Sequence, residues 1–428
     1  MQLELGKFKI KDVQFAEQTK LENGILYINK QELRDYLKED LNILDVDFDI
    51  ARPGESVRII PVKDIVQPRY KVKGQGQVFP GFIGGYETVG EGRTHVIENC
   101  AVATCGKIVN FQEGIIDMSG PGAKYNSFSK MFIVVPLITP IPSIDKHLHE
   151  ATVRLAGLKV AYYLGKATKD LVPDDIEEFK YDSIVDGAQE YSDLPRVAYV
   201  YLVQCQGLMH DTYIYGMNAK GILSTLISPL EVLDGAIVSG NCAAPCHKNA
   251  TIHHQNNPII MELLRRHGKE LWFVGVILSH ESTMLADKKR AAFYTQNLAK
   301  IIGARGAIIS EEGGGNPETD LMLCCKNLEN AGIKTVLVTD EYAGRDGRSQ
   351  GLADVTPEAD AVVTNGNGNE LVTLPPMDKV IGSLESVEII TGGFSGSLHP
   401  DGSISVEIAA IMGALCELGY ERLTTRLK

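Results

Sequence analysis

The stretch LWFVGVILSHESTMLADKKRAAFYTQNLAKIIGARGAIIS (271–310) decides the fold of this chain. It opens with an apolar run (271–278) and closes with a second, shorter one, GAIIS (306–310). Between them, apolar residues recur at the spacing of an amphipathic helix. A buried strand, a helix and another buried strand of these lengths are typical of a parallel sheet covered by its helical crossovers.

The same alternation continues on both sides of this stretch. Further strands are predicted at RVAYVYLV (196–203), GAIVSG (235–240), KTVLVTD (334–340) and ADAVVTN (359–365). Further helices are predicted through NPIIMELLRRHG (257–268), NPETDLMLCCKNLENAG (316–332) and, at the C-terminal end, SVEIAAIMGALCELG (405–419). We therefore expect residues 191–428 to form an α/β domain with a mostly parallel, doubly wound sheet.

Residues 1–190 have a different pattern and predict a β-rich N-terminal domain with one long helix. Short β-branched runs bounded by Gly and Pro favour antiparallel strands, and Asn23-Gly24 predicts a hairpin turn. Apolar residues at helical spacing predict the long helix over 143–167, with Ser143 as its N-cap. The acidic, turn-rich segment 169–195 is interpreted as a connector.

Composition excludes several classes of protein. The chain has 428 residues, and 42 basic against 55 acidic side chains give a net charge of −13, which disfavours nucleic-acid binding. The opening MQLELGKFKIKD lacks the apolar core of a signal peptide, and no apolar run is long enough to span a membrane. We expect a cytoplasmic protein with its eight cysteines reduced.

Ionisable residues and glycines follow the predicted strands of the α/β domain. Open parallel sheets bind ligands outside the carboxyl ends of their strands, so these residues form the candidate site. They are His280 and Glu281 after one strand, and Glu311, Glu312, Gly313, Gly314 and Gly315 after the next.

Metal and nucleotide motifs are poorly matched. Cys242 and Cys246 are four residues apart, and the nearest second pair, His253-His254, consists of adjacent residues, unlike the paired ligands of structural zinc sites. The glycine-rich loop at 313–315 lacks both the dinucleotide and the P-loop spacing. We expect neither a metal nor a nucleotide.

The dipeptide Asn241-Cys242 suggests a different chemistry. A cysteine thiol can attack the preceding carbonyl and convert the amide to a thioester. Elimination of the sulfur and hydrolysis would then leave a ketone, a pyruvoyl group, at a new N-terminus. Gly240 permits unusual backbone angles, and Ala243 and Ala244 leave space beside such a carbonyl. The dipeptide alone is weak support, since Asn99-Cys100 also occurs.

Four stretches resemble the component B precursors of the glycine/sarcosine/betaine reductase family, and the resemblance runs along the whole chain. They are VSGNCAAPCHKNATIHHQNNPII (238–260), SHESTMLADKKR (279–290), SEEGGGNPETDLM (310–322) and TDEYAGRDG (339–347). The resemblance implies a cut between Asn241 and Cys242 into chains 1–241 (beta) and 242–428 (alpha). It also implies that Cys242 becomes a pyruvoyl group, which forms a Schiff base with the amine of glycine.

The resemblance also implies partner proteins. A selenolate would displace the amine at the α-carbon, and the family places the selenocysteine on another subunit of component B and on component A. Component C would yield acetyl phosphate, ammonia would be released, and reducing equivalents would come from the thioredoxin system. Alternative substrates are sarcosine and, less readily, betaine, whose quaternary nitrogen cannot form a Schiff base. A chain that stays uncut and only binds partners is the remaining alternative.

Roles for the other candidate residues follow from position alone. His280 and Glu281, or Glu311 and Glu312, would transfer protons. The amides of Gly313–Gly315 would hold the glycine carboxylate, and His247 would activate Cys242 for the cut.

Overall fold

The computed structural model describes residues 1–108, 112–206, 211–240 and 243–418, and they form a mixed α/β structure with several sheets. This confirms the predicted fold class. No helix within these ranges is both long enough and apolar enough to cross a bilayer.

Among the described residues, the N-terminal part contains twelve strands and three α-helices. The strands are β1 (Gln2–Lys9), β2 (Asp12–Phe15), β3 (Lys20–Glu22), β4 (Ile25–Ile28), β5 (Ile43–Ala51), β6 (Val57–Val66), β7 (Arg69–Lys73), β8 (Gly92–Glu98), β9 (Cys100–Gly106), β10 (Gly114–Asp117), β11 (Phe132–Pro140) and β12 (Asp175–Lys180). The helices are α1 (Lys30–Leu37), α2 (Lys146–Lys166) and α3 (Ile184–Glu190).

Two sheets organise this part, in the orders β12-β1-β8-β7 and β10-β6-β9-β11-β5. Most of their pairs are antiparallel, as predicted, whereas β1–β8 and β9–β11 are parallel. The predicted hairpin is confirmed: β3 and β4 pair antiparallel around Asn23 and Gly24, whose φ angles are 54° and 78°. Helix α2 packs on the second sheet.

Two details of the N-terminal prediction were wrong. Helix α2 begins after Asp145, whose side chain accepts hydrogen bonds from the amides of His147 and Leu148, so Asp145 and not Ser143 is the N-cap. The segment 169–195 is more than a connector, because it contains β12 and α3, and β12 forms the edge of a sheet beside β1.

The second part, as far as the structure describes it, contains twelve further strands and five α-helices. The strands are β13 (Arg196–Gln204), β14 (Tyr213–Ile214), β15 (Met217–Asn218), β16 (Thr225–Ile227), β17 (Ile237–Val238), β18 (Trp272–Glu281), β19 (Gly306–Ser310), β20 (Lys334–Glu341), β21 (Val362–Asn367), β22 (Leu371–Leu374), β23 (Lys379–Gly382) and β24 (Ile404–Glu407). The helices are α4 (Pro229–Leu233), α5 (Thr251–Gln255), α6 (Pro258–Arg266), α7 (Leu285–Ile301) and α8 (Asn316–Asn330).

The doubly wound sheet has the order β16-β18-β13-β19-β20-β21, with only the edge strand β16 antiparallel. Successive side chains of a strand point to opposite faces. In β13, Tyr199 and Tyr201 join the core that contains α6, whereas Val200 and Leu202 join the core that contains α8. Both faces are therefore covered, as predicted.

Two elements of this part differ from the prediction. The run GAIVSG supplies only β17, which pairs antiparallel with β14 in a small separate sheet and lies outside the doubly wound sheet. The C-terminal helix is absent within residues 404–418, because β24 pairs with β22 and a short 3₁₀ turn follows. A further strand, β23, pairs with β6 of the N-terminal part.

The strand order interleaves the residues that precede and follow position 241. The central strand β13 precedes it, while both of its neighbours, β18 and β19, follow it. One sheet is thus built from both predicted mature chains.

A buried carboxylate, Asp234, connects α4 to the N-terminal sheet. It directly follows α4 and accepts hydrogen bonds from the Lys71 ammonium, the Thr94 hydroxyl and, at 2.7 Å, the Gly90 amide. Asp234 and Thr94 are fully buried and Lys71 is nearly so. This cluster fixes α4 against β7 and β8.

Candidate active site

Carboxylates gather at the carboxyl edge of the doubly wound sheet. Glu281 ends β18, Glu311 and Glu312 follow β19, and Asp340 lies near the end of β20. All four side chains are buried. The strand order reverses around β13, so this edge is the topological switch point, where such sheets bind their ligands.

Glu312 is held by the end of β13. Its carboxylate accepts hydrogen bonds from the Gln204 amide at 2.9 Å and the Thr212 hydroxyl at 2.7 Å. Its own amide donates to Oε1 of Glu281 at 2.9 Å. Burial raises the pKa of Glu312 to about 7, although these two donors and nearby Lys248 favour its charged form. Glu312 can therefore exchange a proton near neutral pH.

The carboxyl groups of Glu281 and Glu311 are still harder to ionise. Burial, with neighbouring carboxylates adding to it, raises the pKa of Glu281 and of Glu311 well above the usual value. The same causes raise the pKa of Glu417, which lies within electrostatic range of Glu281, Glu311 and Asp340. Like charges in a dry site favour shared protons or a bound cation.

Cys246, His247 and Asp340 meet beside these carboxylates. His247 Nδ1 lies 2.8 Å from Asp340 Oδ2, and the Cys246 thiol lies 3.6 Å from the Tyr342 hydroxyl. Burial disfavours the charged imidazolium, but the Asp340 carboxylate and the Cys246 sulfur outweigh it and raise the pKa of His247 well above its usual value. His247 and Asp340 thus form a buried ion pair.

The segment that carries Cys246 is held on both sides. The Cys246 amide donates to the Ala409 carbonyl at 3.2 Å, and the Cys246 carbonyl accepts from the Leu415 amide at 2.7 Å. Farther along, the hydroxyl of Thr251 donates to Asp64 at 2.6 Å and accepts from the Ser239 amide at 3.0 Å. Residues 239 and 251 are therefore held together across the predicted cut.

Asn241 and Cys242 themselves lie outside the described residues. Their described neighbours are Gly240 and Ala243, both buried. Ala243 is three residues from Cys246, so chain geometry keeps their Cα atoms within about 11 Å. Only a short length of chain therefore separates the predicted cleavage position from Cys246, which lies beside Asp340.

The structure separates some residues that the sequence placed together. His280 and Glu281 are strand neighbours whose side chains point to opposite faces. Burial lowers the pKa of His280, and its electrostatic neighbours are Asp287 and Arg290 near the start of α7 rather than the carboxylates. Sequence position therefore places His280 at the right edge but on the wrong face for sharing a proton with Glu281.

The glycine loop is also used differently from the prediction. The Gly315 amide donates to Glu318 Oε1 at 2.9 Å, in a cap at the start of α8. Gly313 and Gly315 have φ angles of 95° and 80°, which favour glycine. A side chain at Gly314 would press on Tyr342 at 3.0 Å, so this glycine leaves room for the tyrosine beside His247.

Glu417 is a site residue that sequence reasoning missed. It was placed inside a predicted helix, where nothing distinguished it from other surface charges. In the structure it is fully buried, because the turns after β24 bring residues 411–418 against the segment 245–246.

Replacing Glu312 with glutamine is expected to make the stability of the protein less dependent on pH. The folded chain holds this proton up to about pH 7, whereas an unfolded glutamate releases it near 4.5. The contribution of Glu312 to the free energy of unfolding should therefore fall by about 3 kcal/mol as pH rises between these values, and the glutamine variant should lack that contribution. Urea denaturation of the wild type and the variant at pH 5 and pH 8 measures the change in the free energy of unfolding between these pH values.

The matched control is Glu17→Gln on the exposed surface, which should leave the pH profile of the wild type unchanged. An equal fall in the Glu312→Gln variant and the wild type would contradict the assignment.

Comparison with known proteins extends these observations. A sequence model of glycine/sarcosine/betaine reductase component B subunits matches residues 1–426. The chain is 54% identical over 428 residues to glycine reductase complex component B subunits alpha and beta of Acetoanaerobium sticklandii, covering all of both chains. It is 54% identical over 426 residues to the protein of that name from Peptoclostridium acidaminophilum, again covering all of both.

A third relative carries a different substrate in its name. The chain is 51% identical over 426 residues to sarcosine reductase complex component B subunit alpha of Peptoclostridium acidaminophilum, covering all of both chains. The match across nearly the whole length shows the family. The identities to the glycine and sarcosine reductase subunits are too similar to show which of the two substrates this chain uses. The chain belongs to the family of glycine/sarcosine/betaine reductase component B subunits.

Proposed function

We propose that this chain is the substrate-activating subunit of a glycine reductase, an oxidoreductase complex that removes the amino group of glycine reductively. Family membership supports the reduction of an amino acid within a multi-component complex. The observation that carries the proposal is the carboxylate edge, formed by the buried side chains of Glu281, Glu311, Glu312 and Asp340, where burial raises the pKa of Glu312 to about 7.

The proposed reactive group is a pyruvoyl formed from Cys242 after a cut that leaves Asn241 at the end of the upstream chain. Such a group would supply an electrophilic carbonyl for the glycine amine and an electron sink for its nitrogen. The residues on either side of the proposed cut are compatible with such a group. Gly240, Ala243 and Ala244 are small, and the Ser239 amide is hydrogen-bonded to Thr251 on the other side of the cut.

The chain's own carboxyl groups supply proton transfer in this proposal. Glycine arrives with a protonated amine, which must lose a proton before it can attack a carbonyl. Glu312 is the proposed base, since its pKa of about 7 is matched to that task. Glu281 and Glu311 would hold protons that return to the leaving groups. The Gly313 and Gly314 amides remain the proposed contacts for the glycine carboxylate.

The reaction needs partners in this proposal. Displacement at the α-carbon would use a selenolate, which this sequence lacks, from the selenocysteine-containing subunit of component B or from component A. Component C would release acetyl phosphate, and the thioredoxin system would restore the reduced state. Sarcosine, a secondary amine, is the second candidate substrate, supported by the 51% identity to a sarcosine reductase subunit.

Mass spectrometry under denaturing conditions on protein from its native host tests the proposal. We expect two chains of roughly 26 and 20 kDa in proportion to their lengths, which co-elute on a native column because β13 lies between strands of the other chain. The smaller chain should lack the sulfur and nitrogen of Cys242, and borohydride should abolish activity. One uncut chain, or an unmodified N-terminal cysteine, would refute it and favour a non-catalytic partner-binding subunit.

A further inference from the structure

Three buried side chains form a compact group of metal-ligand type next to the carboxylate edge. Cys246, His247 and Asp340 each offer one ligand atom, and these atoms all lie within 4.8 Å of one another. The side chains are at most 3% exposed. The first two come from the loop after the predicted cut and the third from the end of β20, so sequence spacing could not reveal the group.

Carboxylate oxygens without hydrogen-bond partners among the described residues lie in this group and within its electrostatic range, and they favour a bound cation. Asp340 Oδ1, Glu311 Oε2 and both carboxylate oxygens of Glu417 are buried without a hydrogen-bond partner among the described residues. Glu311 and Glu417 both lie within electrostatic range of Asp340. A buried polar atom without a partner is costly, and several acidic ones together are more costly still.

We propose that Cys246, His247 and Asp340 bind one divalent transition-metal ion, with Zn²⁺ the best match. Thiolate, imidazole and carboxylate together suit zinc, whereas Ca²⁺ and Mg²⁺ prefer oxygen ligands only. An ammonium ion could neutralise the carboxylates, but it would not be bound by a thiol and an imidazole, which are metal ligands. Three protein ligands are typical of zinc sites that keep a fourth position open, which here is left to Glu417 or to a small molecule.

Binding is balanced by proton release. The Cys246 thiol loses its proton to ligate as thiolate, and the His247 imidazolium loses the Nδ1 proton that faces Asp340. The ion thereby replaces the His247–Asp340 hydrogen bond and neutralises part of the acidic excess. With Nδ1 bound to the metal, His247 has no free ring lone pair to accept a proton, so this assignment replaces the role in the cut that sequence position suggested for it.

Metal analysis of the full-length chain tests the inference without using activity. After exposure to Zn²⁺ and gel filtration, we expect about one zinc per chain in the wild type and below about one tenth in Cys246→Ser and Asp340→Asn. Cys324→Ser, at another buried cysteine in α8, is the matched control and should keep its zinc.

A second measurement on the unaltered protein guards against variants that fail to fold. Substitution with Co²⁺ should produce a thiolate-to-cobalt charge-transfer band and the visible bands of a tetrahedral site. Wild type without bound zinc and without these bands would overturn the inference, as would zinc retained by Cys246→Ser.

The metal site and the pyruvoyl group are independently testable. A Cys242→Ala chain cannot form the pyruvoyl group but is expected to bind the metal in full. Metal loss in that variant would show that Cys242 is itself a ligand and would overturn the assigned ligand set.

Discussion

Replacing Cys242 with alanine is expected to leave a single uncut chain and to abolish glycine-dependent formation of acetyl phosphate. In the proposed mechanism, a chain without this thiol forms neither the thioester nor the ketone that the amine attacks. Loss of a covalent catalytic group lowers kcat by about 10⁴-fold or more. Denaturing mass spectrometry detects the uncut chain, and an assay with the selenoprotein and thioredoxin partners measures the rate.

The matched control is the other Asn-Cys dipeptide of the chain. Cys100 begins β9, is fully buried, and has a thiol pKa raised by burial to about 12, so it is poorly suited to nucleophilic attack. The Cys100→Ala variant should be cut between Asn241 and Cys242 and stay active. Cleavage lost in Cys100→Ala, or retained in Cys242→Ala, would contradict the assigned position.

Replacing Asp234 with alanine is expected to lower the free energy of unfolding by about 4 kcal/mol, because it leaves the buried ammonium of Lys71 without its counter-charge. The Thr94 hydroxyl and the Gly90 amide lose their acceptor as well. Chemical denaturation of the wild type and the variant measures the difference.

An exposed ion pair provides the comparison for this variant. Asp45 lies 3.8 Å from Lys38 with most of its side chain in solvent, so Asp45→Ala should cost less than about 1 kcal/mol. Asp234→Asn keeps a hydrogen-bond acceptor but loses the charge, so its loss in free energy of unfolding should lie between those of Asp234→Ala and Asp45→Ala. Equal stabilities of Asp234→Ala and Asp45→Ala would show that the buried cluster does not hold α4 in place.

The fold of the second part was predictable wherever long apolar runs alternated with helical spacing. β13, β18, β19, β20 and β21 all lie where their runs predicted. Pattern alone could not say which sheet a short run joins, so GAIVSG was assigned to the wrong one. The C-terminal segment has helical spacing, but pairing between β22 and β24 overrides that local preference.

The sequence could predict the location of the candidate site at one edge of the sheet, but not the arrangement of its side chains. Sequence position placed Glu281, Glu311 and Glu312 together, because parallel strands end on one side. It could not reveal that His280 lies on the opposite face or that Glu417 is buried among the carboxylates. Those facts depend on side-chain direction and on contacts between segments distant in sequence.

The position of β13 between β18 and β19 has a consequence for biosynthesis. Two separately translated polypeptides would have to meet by diffusion while each exposed unpaired strand edges, which invite aggregation. A single reading frame supplies the two halves in equal number and makes their association intramolecular, at a high effective concentration. On the proposed cut, folding has to precede cleavage, and proteolytic maturation then releases a complex that is already assembled.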